Sequence, residues 1–161
     1  MLPNYVIERI KEMNCCPPPC ADIVPNTKIL ETAAHKIVLA LRADHPEITD
    51  ISFYLFSDDV ADEMGIDGNF QYLDPIKPVI GVRAGCFGPD ADKDYQAFLL
   101  LHECAHRLQP REDKINGLLN HGAIFQGILD NLIKLYNKKY GTNVIDWESV
   151  RTDGEKPLYR H

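Results

Sequence analysis

The feature that most constrains this chain is a pair of histidines spaced four residues apart in a segment with helical periodicity. Residues 102–106 read His-Glu-Cys-Ala-His. Because residues i and i+4 lie about one turn apart on the same helix face, His102 and His106 can both reach one ion. Small or apolar residues recur on the opposite face of the same segment: Ala97, Leu101, Cys104 and Leu108. The pattern predicts a helix that packs against a core on one side and presents two imidazoles on the other.

The His-Glu-x-x-His pattern is typical of zinc hydrolases because each residue type in it has a chemical role. Imidazole nitrogens are common zinc ligands, so we expect His102 and His106 to bind Zn²⁺. Glu103 lies one step around the helix, where its carboxylate can accept a proton from water as a general base. The alternative is an amphipathic helix whose histidines are only polar surface residues.

A catalytic zinc usually has three protein ligands, so a third ligand must lie elsewhere. A longer pattern with a glycine and a further histidine downstream fails, because Gln109 and Glu112 occupy those positions. On the following predicted helix, Asp130 is the only carboxylate to consider, and it lies too far along. His121, at the predicted start of that helix and followed by Gly122, is therefore the preferred third ligand.

Together these segments resemble the SprT-like metalloprotease family, which includes Spartan and Wss. The similarity rests on H-E-x-x-H at 102–106 and, after fourteen intervening residues, H-G-x-x-F at 121–125. More loosely it extends over about 27–140. The resemblance implies a zincin-like fold, a Zn²⁺ cofactor and a protein or peptide substrate. It also implies three zinc ligands and a general base, namely His102, His106, His121 and Glu103.

The chain departs from many members of that family in two respects. No cysteine follows Cys104, so a C-terminal zinc ribbon is absent from this sequence. The formal net charge is −7, from 17 Lys and Arg against 24 Asp and Glu. Residues 43–75 hold nine acidic residues and no Lys or Arg, which favours a solvated face. Nothing in this charge pattern favours nucleic acid as a partner.

Targeting and cysteine patterns favour a cytoplasmic protein. No apolar run approaches the roughly 20 residues of a membrane helix, and charges interrupt the first fourteen residues. Five cysteines, an odd number, do not indicate a disulfide framework in such a protein. Cys15, Cys16 and Cys20 fit a proline-rich loop better than part of a second metal site, because no second cysteine pair accompanies them.

Hydrophobic periodicity predicts an α+β fold, rich in helices, with a small sheet beside the helix of the His-Glu-x-x-His motif. We expect an N-terminal extension at 1–26, a catalytic domain at 27–141 and a C-terminal tail at 142–161. The predicted helices are 5–14, about 27–43, 92–109 and 121–140, and the predicted strands are 51–56, 70–73 and 79–82. Prolines and Gly81 place the 79–82 strand near a sheet edge, where a substrate strand could pair with it.

Three functions fit these residues. The first is a zinc metalloendopeptidase, and the second is a metal-stabilised binding or adaptor domain with little or no turnover. A third is a metal-dependent hydrolase of a non-peptide amide. Any hydrolase of this type needs a donor for the oxyanion. The sequence does not choose among three candidates, Arg83, Tyr72 and Tyr95.

Overall fold

The computed structural model describes residues 23–73, 77–110 and 121–148. Within these ranges the chain forms four α-helices and one four-stranded sheet, which confirms the predicted α+β class. In chain order the elements are β1 (Ile23–Val24), α1 (Lys28–Leu41), β2 (Ser52–Phe56), α2 (Asp58–Met64), β3 (Gly68–Leu73), β4 (Lys77–Arg83), α3 (Lys93–Leu108) and α4 (Ala123–Tyr140). Short 3₁₀ turns at Pro46–Asp50 and Ala84–Phe87 join some of them.

Helix boundaries follow the capping chemistry of the sequence. The side chains of Thr27, Ser57 and Asp92 accept hydrogen bonds from the first free N–H groups of α1, α2 and α3. At the other end, α2 and α4 stop at Gly65 and Gly141, both of which have positive φ. The structure places α1, α3 and α4 within two residues of their predicted bounds. The short helix α2 was not predicted.

The sheet has the strand order β1-β2-β4-β3. β2 and β4 run parallel, whereas β1 and β3 are antiparallel to their neighbours. β4 is therefore an interior strand, and the expectation that 79–82 lies near an edge was wrong. So was the pairing of a substrate strand there, since both sides of β4 are already hydrogen-bonded. Pro78 is tolerated because pairing with β2 begins only at Val79.

Gly81 has a packing role in β4. A Cβ atom there would lie 2.4 Å from Cζ of Tyr54, because the tyrosine ring crosses directly over the glycine. Gly81 thus marks a close approach between neighbouring strands, which is the other common reason for glycine inside a strand.

The main core lies on the face of the sheet that α3 covers. There, Leu55, Ile80 and Val82 pack against Leu101 and Cys104. α1 and α4 pack around the same helix. The opposite face carries a smaller cluster, made of Tyr54, Phe56, Ala61, Ile66 and Val79. Since α3 is enclosed by the sheet and by other helices, the residues of the motif are interior residues. Among the described helices, none is long and apolar enough to cross a membrane.

The described residues include the end of the predicted N-terminal extension and the start of the predicted C-terminal tail. Ile23 and Val24, assigned to the extension, pair with β2. Beyond α4, Val144 is buried and Trp147 packs against the main core. The predicted helix at 5–14 and Cys15, Cys16 and Cys20 lie outside the described residues.

Candidate metal centre

α3 places His102 and His106 side by side in the interior. Each imidazole is only 2% exposed, and their ring centroids are 5.1 Å apart. The rings face α4, where both contact Phe125. The two histidines are therefore buried, and they are not polar residues on the surface of an amphipathic helix.

His121 completes a cluster of three imidazoles. It lies in the turn just before α4, and its Nε2 is 3.1 Å from Nε2 of His106. The candidate ligand atoms of His102, His106 and His121 all lie within 4.8 Å of one another. Four ligands at about 2.0 Å around a tetrahedral zinc are about 3.3 Å apart, which is close to the 3.1 Å between Nε2 of His106 and Nε2 of His121. These three residues can bind a metal ion, and their nitrogen donors suit zinc.

Phe125 holds the three rings in place. Its ring stacks on His106 at a centroid distance of 4.5 Å and meets His102 and His121 edge-on at 4.9 and 5.0 Å. Phe125 is itself buried, one turn into α4. The structure therefore explains why a phenylalanine follows His121 by four residues: all three imidazoles pack against the Phe125 ring.

Gln109 orients His106, a role that the sequence analysis missed. Its Oε1 lies 3.0 Å from Nδ1 of His106, and both side chains are buried. Because an amide oxygen can only accept, a hydrogen bond here has Nδ1 as its donor, and a neutral ring of that tautomer would present an unprotonated Nε2 toward His121. The signal in the sequence was an amide residue three positions after a predicted ligand, at the end of the same helix.

Glu103 is fully buried beside the histidines. Within the described part of the chain, neither carboxylate oxygen has a hydrogen-bond partner. Burial raises the pKa of this carboxyl group well above its usual value. A buried carboxyl group that no neighbour satisfies lowers stability, and such groups cluster at functional sites. Its position next to His102 suits proton transfer at the cluster.

Cys104, a possible nucleophile, and Asp130, a possible metal ligand, do not contribute to the histidine cluster among the described residues. Cys104 is fully buried, and burial followed by the charge of Glu103 raises the pKa of its thiol, so it is a core residue and no thiolate nucleophile. Asp130 is exposed and accepts a hydrogen bond from Gln126. Asp130 does not belong to the metal-ligand cluster found among the described residues.

Two of the three candidate oxyanion donors make contacts away from the histidine cluster. The Arg83 guanidinium pairs with Asp62 at 2.6 Å and with Asp58 at 3.1 Å. The Tyr95 hydroxyl donates to the carboxylate of Asp67. The side chain of the third candidate, Tyr72, lies outside the described residues. For Arg83 and Tyr95, the contacts indicate a structural role in linking the sheet to its surroundings.

A pocket of about 250 Å³ opens at the histidine cluster. Its lining includes His102 and His121 and, from the segment after α4, Asp146 and Glu148. Sequence reasoning did not connect these two acidic residues with the site, because they lie in the predicted tail.

No family model matches the chain, and comparisons with curated proteins and with solved structures also found no match.

Proposed function

We propose that this protein is a zinc-dependent metallopeptidase that cleaves peptide bonds in protein or peptide substrates. One observation carries the proposal: three imidazoles converge next to a fully buried carboxyl group that has no hydrogen-bond partner among the described residues. The histidine cluster supplies ligands, and Glu103 supplies a proton acceptor. Metal ligands and a proton acceptor are two of the protein contributions that zinc-dependent hydrolysis requires.

His102, His106 and His121 would hold the ion. Bound zinc supplies Lewis-acid chemistry, which acidifies water and polarises a carbonyl group. Glu103 accepts a proton from the attacking water and passes it to the leaving amine. Burial assists this transfer, because it raises the pKa of Glu103 and so makes the carboxylate a stronger proton acceptor. Gln109 keeps His106 in the tautomer that can bind a metal.

The same residues support a zincin-like fold of the SprT type. The helix of the first motif packs under a small mixed sheet, and the second motif brings His121 and Phe125 to it from the next helix. In the described part of the sheet, β3 has one strand neighbour, β4. We propose that an extended substrate pairs with the other side of β3, which replaces the pairing first expected at 79–82.

Metal content tests the ligand set. After dialysis, elemental analysis of the wild-type protein should give close to one zinc per chain, and His121→Ala should lose most of it. His35→Ala is the matched control. His35 is exposed on α1, so the variant protein should retain its zinc. Zinc retained by His121→Ala would show that the third ligand lies elsewhere. A wild-type chain that takes up no zinc when supplied would overturn the proposal.

Turnover tests the reaction. Zinc-loaded wild type should cleave an unfolded protein such as reduced casein, whereas Glu103→Gln should retain zinc and lose hydrolysis. Equal activity in both proteins would refute the role of Glu103. Zinc binding with no cleavage of proteins, peptides or small amides would favour the metal-stabilised binding domain. Cleavage of small amides alone would favour a non-peptide hydrolase.

A further inference from the structure

A second pocket, of about 260 Å³, lies where α1, α3 and α4 meet. It shares no lining residue with the pocket at the histidine cluster. Its apolar lining includes Ile29 of α1, Ala97 of α3 and Tyr136 of α4, of which the last two are buried. Proteins bind small molecules in concave sites of this kind, where apolar side chains are combined with a few polar groups.

Three lysines line this second pocket. Lys28 and Lys36 belong to α1, and Lys93 is the first residue of α3. The lining residues of the described chain include no Asp or Glu, although Asp94 lies close enough for its charge, after burial, to raise the pKa of the Tyr136 phenol. None of the three lysines takes part in the ion pairs found within the described ranges. In a chain with a formal net charge of −7, this local positive charge favours an anionic ligand.

Aromatic rings hold the side chain of Lys36 at the pocket. Its Nζ lies 4.5 Å from the ring centroid of Tyr140 and 5.8 Å from that of Tyr136. The Tyr140 hydroxyl also donates a hydrogen bond of 2.8 Å to the backbone carbonyl of Lys36, which links α4 to α1. A cation–π contact orients an ammonium group without neutralising its charge, so Lys36 can still attract an anion.

A buried amide is a second, independent indication of a ligand. Gln96 of α3 is only 4% exposed, and it lines the pocket. Its backbone N–H donates to the carbonyl of Asp92, whereas no hydrogen bond of its side-chain amide is found in the part of the chain that the structure describes. Because buried polar groups generally have hydrogen-bond partners, a bound molecule that accepts from this amide would supply the one that the described residues do not.

We propose that this second pocket binds a small molecule in which a phosphate group is attached to an apolar or aromatic body. The body would pack on Ile29, Ala97 and Tyr136, while the lysine ammonium groups and the Gln96 amide would donate to phosphate oxygens. A phosphate monoester carries about −1.5 to −2 charges at neutral pH, so it can use more than one lysine, which favours it over a singly charged carboxylate. The inference does not depend on the proposed metallopeptidase function.

Matched ligands test this proposal. The full chain is titrated with phenyl phosphate, phenol and inorganic phosphate, and each dissociation constant is measured by protein-observed NMR. We expect phenyl phosphate to bind roughly tenfold or more tightly than either of its parts, since tenfold is the scale of one charge-assisted contact. Resonances from the first turns of α1 and α3 should shift, and those of 102–106 should not. Equal binding of phenol, or of inorganic phosphate, would overturn the proposal.

Two pocket variants locate the binding site. Gln96→Leu removes the amide, and Lys36→Gln/Lys93→Gln removes two of the charges. Each should weaken the binding of phenyl phosphate roughly tenfold or more, and the lysine variant tests the pocket even if Gln96→Leu folds poorly. Lys134→Gln/Lys138→Gln removes the same charge from exposed positions of α4 and should bind as wild type does. Unchanged affinity in both pocket variants would refute the proposal.

His121→Ala separates this pocket from the candidate metal centre, because phosphate esters can also bind to a metal ion. Phenyl phosphate should bind this variant as tightly as wild type, whatever the peptidase assays show. Binding lost in His121→Ala would assign the ester to the histidine cluster and overturn the proposal. Tighter binding of a single-stranded oligothymidine, lost in the same lysine variant, would identify the partner as a nucleic acid and would refute the small-molecule class.

Discussion

Replacing Gln109 by leucine should weaken metal binding although Gln109 is no ligand. The substitution removes the oxygen that lies 3.0 Å from Nδ1 of His106. Loss of such a supporting hydrogen bond usually costs tenfold to a hundredfold in metal affinity, or about 1.4–2.7 kcal/mol. Gln109 and His106 are each 2% exposed, so water cannot easily replace the lost acceptor. We therefore expect the upper half of that range.

A chelator competition measures this effect. The zinc dissociation constant is determined for wild type, Gln109→Leu and Gln109→Glu by titration against a chelating dye. Glutamate retains an acceptor oxygen at the same distance along the side chain, so its affinity should stay closer to wild type. Far-UV circular dichroism and urea unfolding of the metal-free proteins show whether each variant folds. A folded leucine variant with wild-type affinity would refute the orienting role of Gln109.

Two further predictions concern the fold around the site. Gly81→Ala should destabilise the protein by about 1–3 kcal/mol in urea unfolding, because the new methyl group would meet the Tyr54 ring. Its cost should be smaller in a Tyr54→Leu background, and an equal cost in both would contradict the proposed clash. In metal-free protein, the stability of wild type relative to Glu103→Gln should fall as the pH rises above about 4.5. Burial raises the pKa of Glu103 in the folded state, so the unfolded chain releases this proton first, and the fall is at most about 1.4 kcal/mol per pH unit. A pH-independent difference between the two proteins would refute this account.

Local features of the sequence predicted much of the fold. The apolar stripe and the Thr27 cap define α1, and acidic residues ahead of Lys93 mark the start of α3. The histidine cluster was also predictable, because its spacing of four residues follows from helix geometry. The convergence of His121 on that helix required a guess about one loop, and the arrangement of the three rings agrees with it.

What the sequence could not predict depends on contacts between distant segments. The adjacent prolines and Gly81 suggested that 79–82 is an edge strand. Instead, β4 pairs directly with β2, although α2 and β3 separate the two strands in the sequence. Gly81 makes room for a side chain that lies 27 residues earlier, and no local rule connects the two. The acidic residues of the pocket lie on a segment whose Trp147 packs on Tyr95, 52 positions before it in the chain.

Packing contacts hold the three imidazoles in position. α3 is enclosed on both sides, Phe125 contacts every ring, and Gln109 fixes one of them. A site built in this way is preorganised, so binding a metal need not drive folding of the helices that carry it. The carboxyl group of Glu103, which has no hydrogen-bond partner in the described ranges, lowers the stability of the same helix. The surrounding core, with Leu99, Leu101 and Cys104 fully buried on that helix, offsets this cost and keeps a poorly solvated proton acceptor beside the ligands.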